Sequence, residues 1–538
     1  MNAPASRQES LRDIPRATYA DVRAALLERR EIALLDVREE DPHAQAHPLF
    51  AANLPLARIE LDAWSKLPRR DVPIVTLDDG EGLAELAAQR LIGLGYTDVR
   101  VFQGGVAGWR EAGGELFRDV NVPSKSFGEL VEAERHTPSL AAEEVQALID
   151  SKADVVIVDS RRFDEYQTMN IPGSTSVPGA ELVLRIAELA PRPETRVIVN
   201  CAGRTRSIIG TQSLVNAGIP NPVAALRNGT IGWTLAGQKL EQGADRRFPE
   251  VSAATREQAA ARARAVADRA GVRRTTLAEI QGWQRQQGRT TYFFDVRTPE
   301  EYEAGHLPGF RSVPGGQLVQ ETEMVAPTRG ARIVLADSDG VRADMSASWL
   351  AQMAWDVHVV DGIAAADLSE RGAWRAPVPP PPPARRILPE TLSRSLAAGE
   401  DVVILDFTTG ANYRKRHIPG AWWALRSQLA DVLRQVPRAA RYVLTCGSSQ
   451  LANYVVPEVE ALVDGEVWLL EGGNAAWFAA GLPEESGETR LASPPIDRYR
   501  RPYEGTDSPR EAMQAYLDWE FGLVAQLGRD GTHHFRVI

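Results

Sequence analysis

Four short apolar runs, each closing on an aspartate, recur along the chain: IALLDVR, VVIVDSR, FFDVR and VVILDFT, ending at Asp36, Asp159, Asp295 and Asp406. Such near-continuous apolar stretches predict strands buried on both faces. A proline turn follows each one, at Pro55 in NLPL, Pro172 in NIPGS, Pro308 in HLPGF and Pro419 in HIPGA. Asp159 and Pro172, Asp295 and Pro308, and Asp406 and Pro419 are each 13 residues apart; Asp36 and Pro55 are 19 apart. A second apolar strand then runs into a loop: PIVTLDDGEG, VIVNCAGRTR, RIVLADSDGVR and YVLTCGSSQ. Aligning these strands brings Asp78, Cys201, Asp337 and Cys446 to one position, 42, 42, 42 and 40 residues after the first aspartate. After the loop, segments such as RSIIGTQSLVNAG and AELAAQRLIGLG carry apolar residues at helical spacing and close on glycine. A Gly-Trp turn follows at Trp109, Trp233 and Trp477; the third copy reads GIAAADLSERG there and has no tryptophan.

A repeat of this size is a domain. Alternating strands and helices predict an α/β chain of four tandem domains, each a mostly parallel sheet with helices on both faces. The divisions fall at 1–120, 136–245, 273–376 and 386–488, with a tail at 489–538 that holds one helix. Between copies two and three, REQAAARARAVADRAG reads as a helix. Between copies three and four, the prolines Pro379 to Pro383 favour an extended segment. In the tail, Ser508-Pro509 starts a helix whose Leu517, Phe521 and Leu523 are placed to dock on a domain. Neighbouring copies are expected to pair face to face, one with two and three with four.

Composition narrows the function. The 538 residues are 43% apolar and 25% charged, with net charge -11, which argues for solubility and against the clustered basic footprint of a nucleic-acid binder. The opening MNAPASRQESLRDIPRATYAD lacks an apolar signal-peptide core, and no run is long enough to span a membrane, so a cytoplasmic protein is expected. Two cysteines cannot build a disulfide framework or a tandem metal site. His533 and His534 lack partners at metal spacing and read as solvated; His306 and His417 read as turn residues, and the three tryptophans as packing residues. No metal and no cofactor is implied.

The candidate chemistry lies at Cys201. A strand that enters a helix through a short loop presents several N–H groups at the helix N-terminus, which together form an anion cradle. A cysteine at the first loop position feels that field, and Arg204 and Arg206 add positive charge. The thiol pKa is therefore expected to fall toward neutrality. Such a loop suits a thiolate that attacks an anionic substrate.

In combination and order, the strand-Asp-x-Arg element, the Ile-Pro-Gly turn, the strand-Cys-loop-helix and the Gly-Trp turn resemble the rhodanese (thiosulfate sulfurtransferase) domain. The resemblance covers four copies, from about residue 15 to 488, and copy two fits best. It implies that Cys201 takes sulfur from thiosulfate or a similar small anionic donor. A cysteine persulfide forms and passes its sulfur to cyanide, a thiol or a protein thiol. The N–H groups of Ala202, Gly203, Arg204, Thr205 and Arg206 would hold the persulfide, and Arg204 or Arg206 the sulfonate. Asp159 and Arg161 resemble the family's strand-end pair, which orders the loop's surroundings. Related phosphatases use a Cys-x5-Arg loop; here Arg206 is at plus five and Ser207 at plus six, a loop too short for phosphate. Phosphatase or arsenate reductase chemistry is thus the weaker alternative, beside a non-catalytic scaffold that binds a sulfur-carrying partner.

Copies one and three hold Asp78 and Asp337 at the nucleophile position and are expected to be inactive. Copy four keeps Cys446 as a candidate second nucleophile, but its loop CGSSQLA has no arginine and Thr408 replaces the strand-end arginine. Its neutral loop also resembles 3-mercaptopyruvate sulfurtransferases.

Overall fold

The computed structural model describes residues 14–538. Residues 1–13, with most of the opening segment and the start of the first domain, lie outside them. Each copy builds its own parallel sheet. In copy two the order is Ser139–Leu140, Val223–Leu226, Arg196–Asn200, Val155–Asp159 and Thr175–Ser176. The first apolar run of every copy is a strand that stops at its aspartate: Ile32–Asp36, Val155–Asp159, Thr291–Asp295 and Val402–Asp406. The second stops one residue before the aligned Asp or Cys position.

These strands are apolar throughout because both faces are covered. Ile157 and Ile198 pack with Val145 and Trp233 on one side. Val158, Val197 and Val199 pack with Leu182, Leu214 and Val266 on the other. Capping residues bound the linker helix. Ser252 accepts from the Thr255 N–H to start the linker helix Ala253–Ala270, and Gly271, at φ +76°, ends it. The Gly-Trp turn carries a short helix in three copies, and its tryptophan is buried with the indole N–H donating six residues on, as Trp233 does to the Lys239 carbonyl at 2.9 Å. Copy three has only the turn Ala365–Asp367 there. His306 and His417 stack on Tyr302 and Tyr413 beside the Pro-Gly turn.

The copies do not pair one with two and three with four. Copy two faces copy three: the helix Ala253–Ala270 lies along Arg342–Gln352, Trp349 donates to Ser213 at 2.9 Å, and Arg342 bonds Glu181 at 3.0 Å. Copy one faces copy four through Arg426, which reaches Glu60 at 2.7 and 2.9 Å and the Ala57 carbonyl at 3.0 Å. In both pairs the contact uses the segment after the Pro-Gly turn, Leu56–Arg58 with Arg426–Gln428, and Gly179–Glu181 with Gly315–Gln320. Copy three also lends Thr328–Arg329 as an antiparallel edge strand to Ile32–Asp36 of copy one. The expected pairing of one with two and three with four is therefore corrected.

The tail crosses several copies. The Ile496 carbonyl accepts from Asp41, the helix Arg510–Phe521 packs on Val122–Arg135 and Gly229–Leu235, and Leu523–Asp530 joins the copy-one core. The tail thus holds two helices rather than one. Phe535, Val537 and Ile538 then close on the core of copy three. Among the described residues no helix is long and apolar enough to cross a membrane.

Candidate active site

The strand Arg196–Asn200 delivers Cys201 to the carboxyl edge of its sheet, and the helix Thr205–Asn216 starts four residues later. This is the edge where α/β sheets bind ligands. The loop carbonyls are held from outside by the next helix. Thr230 N–H donates to the Cys201 carbonyl at 2.9 Å and Ile231 N–H to the Ala202 carbonyl at 3.0 Å. Gly229, at φ +55°, makes this approach feasible, since a Cβ there would sit 2.3 Å from the Cys201 oxygen. With the carbonyls engaged, the N–H groups of Ala202, Gly203, Arg204, Thr205 and Arg206 have no backbone acceptor among the described residues. They are the free donors of a helix start.

Cys201 is 1% exposed, and its Sγ lies 3.5 Å from the Ser207 hydroxyl, which itself donates to the Arg204 carbonyl. Burial pushes its thiol up; the Arg206 charge, the hydroxyl and N–H of Ser207, and the Arg161 charge pull the other way without prevailing. The expected fall of the thiol pKa is therefore corrected for the resting site: desolvation outweighs the nearby positive charge.

The two loop arginines part company. Arg204 turns to the connecting helix Val122–Arg135, where it pairs with Glu129 at 2.7 and 2.9 Å and with Glu132, and stacks on Phe521 at 4.3 Å. This removes it from the substrate role expected beside Arg206. Arg206 faces the other way, gripping Glu165 at 2.8 and 2.9 Å on the wall of a cavity. Burial alone would raise Glu165, but Arg206, with Arg161 and Arg162, brings it down to about 2. Glu165 was missed in the sequence. It stands six residues after Asp159, as Glu301 stands six after Asp295, and Arg342 grips Glu301 in the same way.

Asp159 and Arg161 form a buried bidentate pair, with Nε and Nη2 bonds of 2.9 and 2.7 Å. Arg161 also donates to the Met169 carbonyl, and Asn200 ties to Asp159 at 3.0 Å. The pair therefore locks the ends of the two central strands to the helix Phe163–Thr168.

The other copies show what the cradle holds when no thiol is present. Asp78 fills it in copy one, accepting from the Gly80 and Ala84 N–H groups at 3.1 Å each. Asp337 accepts from Gly340, Val341 and Ala343 at 3.0, 3.1 and 2.8 Å. In copy four, burial raises the Cys446 thiol, while the N–H groups of Ala452, Ser448 and Leu451 partly offset it. Asp406 has no arginine, and burial lifts it to about 6 against the Thr408 N–H and Asn474.

Beyond the repeat, the tail covers the Cys201 loop. A Cβ on Gly203 would lie 3.2 Å from the Tyr516 ring and 3.5 Å from Glu520 Oε2. Buried Lys125 fastens this lid: it bonds Asp119 at 2.7 Å and sits 5.2 to 5.6 Å from the rings of Tyr503, Tyr516 and Trp519.

The family model of the rhodanese-like domain matches residues 19–112, 141–236, 276–363 and 388–480. A crystal structure of a thiosulfate sulfurtransferase from Pseudomonas aeruginosa is 72% identical over 98% of this chain and 100% of its own, with a TM-score of 0.96. An HTH-type transcriptional regulator of Mycobacterium tuberculosis is 32% identical over 91 residues, 17% of this chain. The match spans 39% of that curated relative's length.

Proposed function

This chain belongs to the rhodanese-like family, and from that membership we propose that it carries sulfane sulfur from thiosulfate, or a similar donor, to a thiophilic acceptor on Cys201. The Cys201 thiolate attacks the outer sulfur of thiosulfate. The S–S bond of thiosulfate breaks, sulfite leaves with the bonding electrons, and Cys201 keeps one added sulfur as a persulfide. Cyanide or a thiolate then attacks that outer sulfur, and Cys201 departs as thiolate.

Arg206 is the cation for the sulfonate end of the donor, through charge-assisted bonds. Glu165 is its positioning residue. The ring of free N–H groups is suited to the negative outer sulfur of the persulfide, as an oxyanion hole is to oxygen. Asp159 and Arg161 hold the strand ends that carry the loop. Copies one and three serve as scaffold, because their own carboxylates occupy the cradle.

One observation carries this reading: of four equivalent loops, only that of copy two combines a thiol, unengaged amides and an arginine on a cavity wall. The test is thiocyanate formation from thiosulfate and cyanide. Cys201→Ser should abolish turnover, and Cys446→Ser should keep most of it. Mass spectrometry after thiosulfate treatment should find one added sulfur on the Cys201 peptide. Turnover that survives loss of Cys201 and dies with Cys446→Ser would move the site to copy four.

A further inference from the structure

Beside the Cys201 loop lies a cavity of about 770 Å³, within the range of about 300–1,000 Å³ usual for small-molecule sites. Thiosulfate, a five-atom dianion, fills a small part of it. The wall carries seven arginines against four carboxylates, in a chain whose net charge is -11. Arg161 and Arg206, whose charges act on the Cys201 thiol, are two of the seven.

Four more arrive from separate parts of the chain: Arg162 from copy two, Arg414 from copy four, Arg498 and Arg500 from the tail. Each of these is about half exposed and rests on an acidic neighbour, Asp164, Glu488, Glu504 and Asp507 in turn. Exposed pairs of this kind contribute little, so an entering anion can take the guanidinium at small cost. Arginine forks match carboxylate and phosphate alike. Two buried polar atoms on the same wall, Gln320 Oε1 and Arg501 Nε, have no partner among the described residues.

We propose that this cavity binds the sulfur acceptor, and that the acceptor is a small thiol bearing two or more negative charges as carboxylate or phosphate groups. The proposal rests on Cys201 as the sulfur carrier. Its anionic groups take the outer arginines, and its thiolate reaches the persulfide past Arg206. The thiolate sulfur bonds to the outer sulfur of Cys201, the Cys201 S–S bond breaks, and Cys201 takes the electron pair. The acceptor leaves as a persulfide, one sulfur heavier, with no net oxidation.

The test starts from full-length protein loaded with thiosulfate, the added sulfur on Cys201 verified by mass. Discharge is then followed with two matched pairs of thiols, 4′-phosphopantetheine against pantetheine and mercaptosuccinate against 2-mercaptoethanol. The charged member should half-saturate at a concentration at least ten-fold lower. The double variant Arg498→Glu/Arg500→Glu should bring that ratio close to one. Preference in the phosphate pair alone assigns the cavity to phosphate thiols, and in the carboxylate pair alone to carboxylate thiols; either supports the proposal. Equal saturation within both pairs, or a preference unchanged in the double variant, overturns it while leaving Cys201 as the carrier. No added sulfur on Cys201 would instead remove the carrier and this proposal with it.

Discussion

Arg206 holds Glu165 by two hydrogen bonds of 2.8 and 2.9 Å, while Arg204, two residues earlier, holds Glu129 on the opposite side of the loop. The first pair faces the cavity and the second is buried against the connecting helix. The two arginines should therefore fail in different ways. Arg206→Ala should lower kcat/KM for thiosulfate by about 10²–10³-fold, the usual loss for one preorganised donor, with a smaller loss of stability to urea than Arg204→Met, because Glu165 is partly open to the cavity whereas Glu129 is buried. Arg204→Met leaves Glu129 buried without its cation and should cost about 3–5 kcal/mol of stability. Parallel urea titrations and thiocyanate assays separate the two; equal activity losses at equal stability would erase the distinction.

Gly229 tests how the loop is held. Alanine there would place its Cβ 2.3 Å from the Cys201 oxygen and 2.7 Å from the Gly203 oxygen. Both are backbone atoms of the Cys201 loop, so the loop must move. Gly237 also has positive φ, +78°, but open space around it. Gly237→Ala should show only the backbone strain of about 1–2 kcal/mol and normal turnover. Gly229→Ala should lose most sulfur transfer as well. Comparable activity in the two variants would mean that loop position does not matter.

Copy three offers a gain-of-function test. It keeps the loop length, the Arg342–Glu301 pair and the Asp295–Arg297 pair, and differs at the nucleophile, where Asp337 takes three N–H bonds. A thiolate can take up the same bonds with one sulfur. In a Cys201→Ser background, Asp337→Cys should acquire a single sulfur from thiosulfate on the residue-337 peptide, read by mass spectrometry. A thiol there that stays unmodified would show that amides and arginine are insufficient without the cavity.

The repeat and its strand ends were legible because a strand buried on both faces stays apolar until the chain leaves the sheet, and Asp36, Asp159, Asp295 and Asp406 mark that point each time. Pairing of the copies was not. It rests on contacts such as Arg426 with Glu60, 366 residues apart, which leave no local pattern. The roles of Arg204 and Arg206 looked interchangeable in sequence, since only the path of the loop decides which one meets Glu129. Glu165 could have been found: the spacing of six after the strand-end aspartate recurs in copy three, and gives Pro42 and Asn412 in copies one and four. The thiol pKa was misjudged because charge can be read from residues, whereas burial depends on everything packed around Cys201.

Glu520 links the tail to pH. It is fully buried against the loop at Gly203, accepts from Tyr516 at 2.8 Å, and leaves Oε2 without a partner among the described residues. Burial, with the Glu129 charge, raises it to about 8 despite Lys125, Tyr516 and Arg204. Its ordinary value is 4.5. Between these values the folded tail binds a proton that the opened tail releases, so stability falls as pH rises from about 4.5 to about 8. Below that window the group is protonated in both states and costs nothing. Hydrogen exchange of the helix Arg510–Phe521, corrected for intrinsic rates, should therefore show weaker protection at pH 8 than at pH 5.5. Glu520→Gln keeps the shape and the Tyr516 bond but has no proton to lose, so its protection should be flat across that range and exceed that of the wild type at pH 8. An equal slope in both proteins would place the titration on another group, and the tail would then cover the Cys201 loop without answering to pH through Glu520.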